Sequence, residues 1–133
     1  MKKRLTFVDA SVLITATVSK DKQKQLAALK LLGDKRRAFA ATEILRLEVI
    51  PIPLFHKHAD QVEFYDRFFD RVQVWVEPAQ FLPTAYALAC RYGLGTVDAL
   101  HVAAAAAVGA EFVSTEKPTK PLYQAYLNAV TLA

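Results

Sequence analysis

Short segments with strand character alternate along this chain with longer segments whose apolar residues recur at helical spacing. Strands that alternate with helices favour a parallel sheet covered on both faces. We therefore predict an α/β fold, a three-layer sandwich with a mostly parallel central sheet of about four to five strands. The length of 133 residues fits one domain that spans residues 1–133. The strand-like segments are 5–8, 38–41, 72–76, 111–115 and 130–132, and the helical ones are 21–32, 43–50, 58–72, 79–92, 97–109 and 122–126.

Individual residues predict where some of these helices begin and end. Thr42 is typical of an N-cap for helix 43–50, because its hydroxyl can accept from a free backbone N–H. Pro51 and Pro53 should end that helix, since proline lacks the donor that a helix interior requires. Thr96 should cap helix 97–109 in the same way.

The single cysteine, Cys90, excludes an internal disulfide and favours a reducing compartment. Because it lies in an apolar helical pattern, we expect it to be buried as a small apolar residue rather than to act as a catalytic thiol. No signal peptide is evident, and the longest run of small apolar residues, 102–110, is too short to span a membrane. These features predict a soluble, cytoplasmic protein.

The composition favours a partner with negative charge. The net charge is +4 and the sequence pI is about 9.3, which suits a polyanion because lysine and arginine that neutralise phosphates release counterions. Hydrophobic residues make up 53% of the chain, which is high for a soluble protein. Exposure of part of that apolar surface would indicate a protein partner or a homodimer.

Asp9 follows the first predicted strand, where the apolar run Leu5–Val8 ends. The carboxyl ends of parallel strands form the crevice in which α/β proteins bind ligands, so a carboxylate there can face a metal or a phosphate. Asp is also a favoured N-cap residue. The residue alone therefore leaves two interpretations open, a functional carboxylate and a cap for the next helix.

Glu48 is a stronger candidate for a functional site than Glu43. Glu43 lies in the first turn of helix 43–50, where the helix dipole stabilises negative charge. Glu48 lies near the carboxyl end of the same helix, where the dipole disfavours it, and its neighbours are apolar. Its charge therefore requires compensation from a cation or from Arg46.

Two more acids stand at positions that a site could use. Asp98 lies in the first turn of helix 97–109, where the dipole also explains a negative charge, and Glu116 follows strand 111–115 much as Asp9 follows the first strand. His101 lies one turn after Asp98, where it is either a polar core residue or a group that orients Asp98.

Right-handed crossovers bring parallel strand ends to one edge of a sheet, so Asp9 and Glu116 are expected to lie close together. Carboxylates held together repel one another unless a cation shares the space, and oxygen ligands suit hard divalent ions. Mg²⁺ or Mn²⁺ in such a cluster can lower the pKa of a bound water and hold a phosphodiester. The four acids therefore predict metal-assisted hydrolysis of an anionic substrate.

Four segments in this order resemble PIN domains, and in particular the VapC-type toxin ribonucleases. They are F-V-D-A-S-V-L-I at the start, E-I-L-R-L-E ending in Glu48, G-T-V-D-A-L-H-V-A-A-A around Asp98, and F-V-S-T-E ending in Glu116. The resemblance spans nearly the whole chain. The D-x-S start together with the D-A-L-H-x-A-A block is its most specific part.

The resemblance implies an endoribonuclease that depends on Mg²⁺ or Mn²⁺, is often a homodimer and is commonly inhibited by a cognate antitoxin protein. Carried over by position, it implies that Asp9, Glu48 and Asp98 are the core catalytic and metal-binding acids, with Glu116 in the place usually held by Asp. It also implies that Ser11 supplies a hydroxyl near the metal.

This chain differs from the usual family pattern at Glu116, because family members usually have T-x-D with a further acid close by. Here Lys117 and Pro118 follow instead, which leaves open whether one or two ions bind.

Two other functions also stay open. One is a phosphotransferase with Asp9 as nucleophile, although Ser11 stands where such a site would need a second Asp. The other is a PIN-like scaffold without activity that binds RNA or protein.

Overall fold

The structure is a computed structural model that describes residues 2–132, and within them it contains a five-stranded parallel sheet. The strand order is β3-β2-β1-β4-β5, so the first strand of the chain lies at the centre, where Thr6 pairs with Glu111 of β4 and with Phe39 of β2. The strands are β1 Arg4–Val8, β2 Arg37–Ala41, β3 Val74–Trp75, β4 Glu111–Ser114 and β5 Ala129–Thr131. The helices are α1 Ala10–Val18, α2 Lys22–Leu32, α3 Glu43–Val49, α4 Pro51–Phe55, α5 Ala59–Asp70, α6 Pro78–Tyr92, α7 Thr96–Ala107 and α8 Leu122–Ala125.

Successive residues of the central strands point to opposite faces of the sheet and enter two separate cores. Val8 and Val113 pack into one core with side chains from α1, α2, α3 and α5. Phe7 and Phe112 pack into the other with side chains from α6, α7 and α8. The alanines of α7 let that helix lie close to the sheet, and Ala103, for instance, is fully buried. This arrangement confirms the predicted three-layer α/β sandwich.

Thr42 caps α3 as predicted, and glycines end two other helices. The side chain of Thr42 accepts a hydrogen bond from the backbone N–H of Leu45, at 3.1 Å, and so caps α3. Gly33 ends α2, and Gly93 ends α6 with a φ of 70°, a left-handed conformation that glycine adopts without steric cost. The helices therefore begin and end close to the predicted positions.

Some boundaries differ from the prediction. Helix α3 ends at Val49, just before Pro51, as predicted, but Pro51 also opens a further short helix, α4, at its first position, where the missing N–H is not needed. Gly95, not Thr96, is the N-cap of α7, and Thr96 is already helical. The third strand contains only Val74 and Trp75, because it lies at the edge of the sheet and pairs with β2 alone.

Cys90 is exposed, so the expectation that it packs in the core is wrong. The apolar pattern of α6 faces the sheet through Phe81 and Ala85. Cys90 lies nine residues after Phe81, which at 3.6 residues per turn places it on the opposite side of the helix. None of the helices within residues 2–132 has the length and apolar character that a membrane crossing would require.

Candidate functional site

Asp9 lies directly after β1 at the carboxyl edge of the sheet, and only 5% of it is exposed. Its Oδ1 accepts a hydrogen bond from the backbone N–H of Ser11 at 3.1 Å and a second one from the Ser11 hydroxyl. Asp9 is therefore the N-cap of α1, as one of the two sequence interpretations predicted. The cap does not exclude a functional role, because a carboxylate has further lone pairs to offer.

Ser11 connects the loops that follow the two central strands. Its hydroxyl oxygen accepts a hydrogen bond from the backbone N–H of Thr115, just after β4, at 3.1 Å. The same hydroxyl donates to Asp9. Ser11 thus fixes the position of the Asp9 carboxylate relative to the segment that carries Glu116.

Glu116 stands at the matching position after β4. Its backbone N–H donates to the Ser114 hydroxyl at 3.0 Å, and its carbonyl oxygen accepts from the hydroxyls of Tyr123, at 2.8 Å, and Thr131, at 2.7 Å. Its carboxylate is partly exposed and lies 4.0 Å from the ammonium of Lys120. Three hydrogen bonds therefore fix the backbone of Glu116, while its carboxylate remains partly exposed to solvent.

Asp98 and Glu48 reach the same region from two helices on opposite faces of the sheet. Asp98 lies in the first turn of α7 and is partly exposed. The carboxylate of Glu48, on α3, lies with its Oε1 2.5 Å from Nε2 of His101, which is buried on α7. His101 is therefore a buried polar residue, as one of the two sequence interpretations had it, and its hydrogen-bond partner is Glu48 rather than Asp98.

The compensation expected for Glu48 does not come from Arg46. Arg46 lies 3.9 Å from Glu43 instead, one turn earlier on α3, in an exposed pair. Exposed pairs of this kind contribute little to stability. The charge of Glu48 is thus answered by a histidine from another helix.

The pKa values of Asp9 and Asp98 are both raised above the ordinary range. Burial raises the pKa of Asp9, and the hydrogen bonds from Ser11 and Ser114 offset part of this effect, while the charge of Asp98 raises it further. Burial also raises the pKa of Asp98, and the negative charges of Glu116 and Glu48 add to the increase. Asp98 therefore interacts electrostatically with all three other acids. The structure brings together the four carboxylates that the sequence singled out.

A divalent cation fits this set of donors, although the acids do not form a closed cage. Within residues 2–132 no group of three or more His, Cys, Asp or Glu side chains is arranged to hold a metal ion by itself. Mg²⁺ usually keeps several waters and needs only one or two protein carboxylates, with substrate phosphates completing its coordination. Carboxylates whose pKa is raised by burial and by like charges are the donors that such an ion would stabilise.

The structure adds site residues that sequence reasoning missed. Ser114 contacts both Asp9 and Glu116, and Tyr123 reaches the edge from α8, where burial raises its pKa. Ser114 could have been noticed, because it is a polar residue that follows the apolar pair Phe112–Val113 at the carboxyl end of β4. Tyr123 carried no signal, since its contact depends on how the chain returns after Pro121.

A cavity of about 1010 Å³ lies beside the acidic cluster, at the carboxyl ends of β2 and β3, and contains none of the four acids. Its lining includes Trp75 and Phe81 and four other acids, which are Glu43, Asp66, Asp70 and Glu77. Its chemistry does not suit a polyanion, because carboxylates repel phosphates.

Fold and site together describe an α/β protein with a cluster of carboxylates at the carboxyl edge of its parallel sheet. The family model described as "PIN domain" matches residues 6–117, which include all four acids. The chain therefore belongs to the PIN domain family, whose members are generally nucleases, as the sequence resemblance predicted. Comparison with curated protein sequences gives no significant match.

Solved structures share this fold at low sequence identity. A chain of a toxin-antitoxin complex from Klebsiella pneumoniae superposes with a TM-score of 0.69 and 16% identity, over 96% of this chain and 98% of that one. PAE2754 from Pyrobaculum aerophilum gives 0.63 and 18%, over 99% and 92%. A chain of VapBC2 from Rickettsia felis, bound to a DNA fragment from their promoter, gives 0.63 and 16%, over 96% of both chains.

Proposed function

We propose that this chain is an endoribonuclease that depends on Mg²⁺ or Mn²⁺ and is the toxin of a toxin-antitoxin pair. The observation that carries the nuclease proposal is the negative charge at the carboxyl edge, where His101 lies beside Glu48 and Lys120 beside Glu116 but Asp9 and Asp98 have no salt-bridge partner among the described residues. Within residues 2–132 no lysine or arginine forms a salt bridge with Asp9, Asp98 or Glu48. Buried carboxylates without a protein cation favour an external one.

In this proposal Asp9 and Asp98 are the principal metal ligands, and Glu48 and Glu116 hold the ion directly or through its waters. Ser11 orients Asp9 through its two hydrogen bonds and keeps the β1 and β4 loops in register. The bound ion would supply a nucleophile at neutral pH and stabilise negative charge on the scissile phosphate. Hydrolysis of an RNA phosphodiester is the reaction that these groups can serve.

The charge around the site supports an RNA substrate that approaches from the β4 side. Lys117 and Lys120 are exposed in the loop that follows Glu116, and Lys120 lies beside the Glu116 carboxylate. The acidic cavity on the β2–β3 side would repel the same backbone. The net charge of +4 agrees with a polyanionic substrate.

A protein antitoxin is proposed because two of the similar structures are, by their titles, a toxin-antitoxin complex and VapBC2. The chain also exposes large apolar side chains close to the site helices α3 and α4, with exposed fractions of 71% for Leu47, 65% for Ile52 and 78% for Phe55. Surfaces of this kind are typical of protein contacts. A homodimer and a cytoplasmic location belong to the same proposal.

A PIN-like scaffold without activity is the competing function. The absence of a closed three-ligand cage within residues 2–132 favours it, as does Glu116 in place of Asp. A scaffold would lose nothing when its acids are neutralised. Neither comparison supports the phosphotransferase alternative.

The deciding experiment incubates the purified protein with a mixed RNA pool and Mn²⁺, with and without EDTA. Asp9→Asn is the informative variant, because asparagine caps a helix as well as aspartate and so preserves the start of α1. Asp60→Asn, at an exposed position on α5, is the matched control. We expect cleavage by the wild type and the control, and none by Asp9→Asn or after EDTA. Equal cleavage by Asp9→Asn would end the nuclease proposal.

A further inference from the structure

The pair formed by His101 and Glu48 joins α7 to α3 at the carboxyl edge of the sheet. His101 is 2% exposed, and its ring packs against Phe7 with 5.5 Å between the ring centroids. Its Nε2 lies 2.5 Å from Oε1 of Glu48, whose side chain is 33% exposed. A rigid, buried group therefore contacts a long and otherwise mobile one.

The other ring nitrogen shows which atom carries the proton. Nδ1 of His101 is buried and has no hydrogen-bond partner among the described residues. A buried N–H without an acceptor is costly, so the neutral ring favours a bare Nδ1 and a proton on Nε2. The Nε2–H therefore donates to the Glu48 carboxylate.

This hydrogen bond restricts Glu48 in a way that its own helix does not. Glu48 lies in the last turn of α3, where the dipole disfavours its charge, and the bond to His101 is its one side-chain hydrogen bond within residues 2–132. With Oε1 engaged, Oε2 stays free for another partner. Because His101 follows Asp98 by one helical turn, the same helix carries one acid of the cluster and the group that holds another.

We propose that His101 is a positioning residue that holds the Glu48 carboxylate toward the metal ion through its Nε2–H. This inference rests on the proposed function, because it assigns His101 a role toward the same ion. Hydrogen bonds to a ligating carboxylate fix its orientation, so that less of its conformational freedom is lost when the ion binds. His101 itself does not touch substrate or metal.

The test measures Mn²⁺ affinity without RNA, by isothermal titration calorimetry on the full chain. His101→Gln and His101→Asn are a matched pair, since both carry an amide, but only glutamine brings its N–H₂ to about the position of Nε2. We expect His101→Gln to bind Mn²⁺ nearly as the wild type does. We expect His101→Asn and His101→Leu to bind it about 10-fold to 100-fold more weakly.

A double-mutant cycle separates positioning from general packing. In a Glu48→Gln background, His101→Asn should cause little further loss of Mn²⁺ affinity, because the carboxylate that it positions is gone. Val102→Ala, at a buried position on the same helix, should lower the melting temperature without changing Mn²⁺ affinity. Circular dichroism confirms that each variant is folded.

The possible outcomes distinguish the positioning role of His101 from the nuclease proposal. Equal Mn²⁺ affinity of His101→Gln and His101→Asn, or an equal loss in Val102→Ala, would overturn the positioning role and leave the nuclease proposal standing. A wild-type protein that binds no Mn²⁺, either alone or with a non-cleavable RNA analogue present, would overturn both. Should His101→Leu fail to fold, the comparison of the two amides still gives the answer.

Discussion

The acids at the two ends of the parallel sheet have opposite electrostatic surroundings. At the amino end, Glu111 lies 2.7 Å from Arg37 and 3.6 Å from Arg4, while Asp34 lies 3.0 Å from Arg36. At the carboxyl end, Asp9 and Asp98 have no such partner within residues 2–132, and burial raises the pKa of each. In contrast, the hydrogen bonds from Arg36 lower the pKa of Asp34 to about 2.

Burial alone does not explain the difference. The side chains of Glu111 and Arg37 are 14% and 15% exposed, so the amino end also holds charges away from water. It does so with the opposite charge beside them, which offsets the cost of desolvation. The contrast between the two ends supports the proposal that the carboxyl end binds a cation from outside the chain.

The largest expected effect is on catalysis. Asp98→Asn should reduce RNA cleavage in Mn²⁺ by at least about 100-fold, because loss of a direct ligand costs more than loss of an outer partner. Glu111→Gln, at the amino end, should cleave as the wild type does. Initial rates on one RNA substrate measure both. Comparable losses in the two variants would remove the functional distinction between the ends.

The next effect is on stability in the presence of metal. Mn²⁺ at about one hundred times its dissociation constant should raise the unfolding free energy by about 2.7 kcal/mol, since it binds only the folded site. Glu111→Gln should keep this increase and Asp9→Asn should lose it. Urea unfolding with Mn²⁺ or with EDTA gives both values. An increase in Asp9→Asn equal to that of the wild type would place the ion elsewhere.

Without metal, the effects of the two substitutions on the unfolding free energy should be smaller and reversed in order. Glu111→Gln should lower the unfolding free energy by about 1–2 kcal/mol, because it weakens the charged hydrogen bond to the buried Arg37. Asp9→Asn should leave the metal-free protein at least as stable, since it removes a desolvated charge and keeps the cap. Urea unfolding in EDTA compares them, and a marked loss in Asp9→Asn would show that its charge stabilises the fold.

The smallest effect is a pH dependence at the amino end. The pKa of Asp34 is about 2 in the folded chain against an ordinary value of 3.8. Its contribution to stability is therefore present above the ordinary value and lost as the pH falls toward the folded one. Asp34→Asn should flatten the stability curve between about pH 4 and pH 2. Identical curves for variant and wild type would show that the exposed pair with Arg36 contributes nothing.

The sequence predicted the sheet and its layers because period-2 and period-3.6 patterns follow directly from which side chains are buried. The four acids could be chosen because Asp9 and Glu116 follow strand ends, Asp98 lies at a helix start and Glu48 occupies a helix position that the dipole disfavours. Asp9 shows the limit of that reasoning, since it is both a cap and a member of the cluster. Sequence alone had offered these roles as alternatives.

Contacts between elements that are distant in the sequence could not be predicted from local patterns. The pairing of His101 with Glu48 depends on how α3 and α7 meet across the edge of the sheet, which no local pattern encodes. The exposure of Cys90 depends on which side of α6 faces the sheet, and a helix with many small apolar residues leaves that ambiguous. Helix α4 was not predicted, because proline can both end and begin helices: Pro51 follows the end of α3, as expected, and also opens α4.

The central place of β1 has a consequence for the order in which the molecule is made. A ribosome releases Asp9 and Glu48 early, but β1 cannot complete its pairing until β4 has emerged, because Thr6 pairs with Glu111. Asp98 and Glu116 arrive in the same late portion of the chain. A nascent chain that stops before α7 therefore carries half of the carboxylates and no assembled edge, so translation itself delays the site until nearly the whole protein exists.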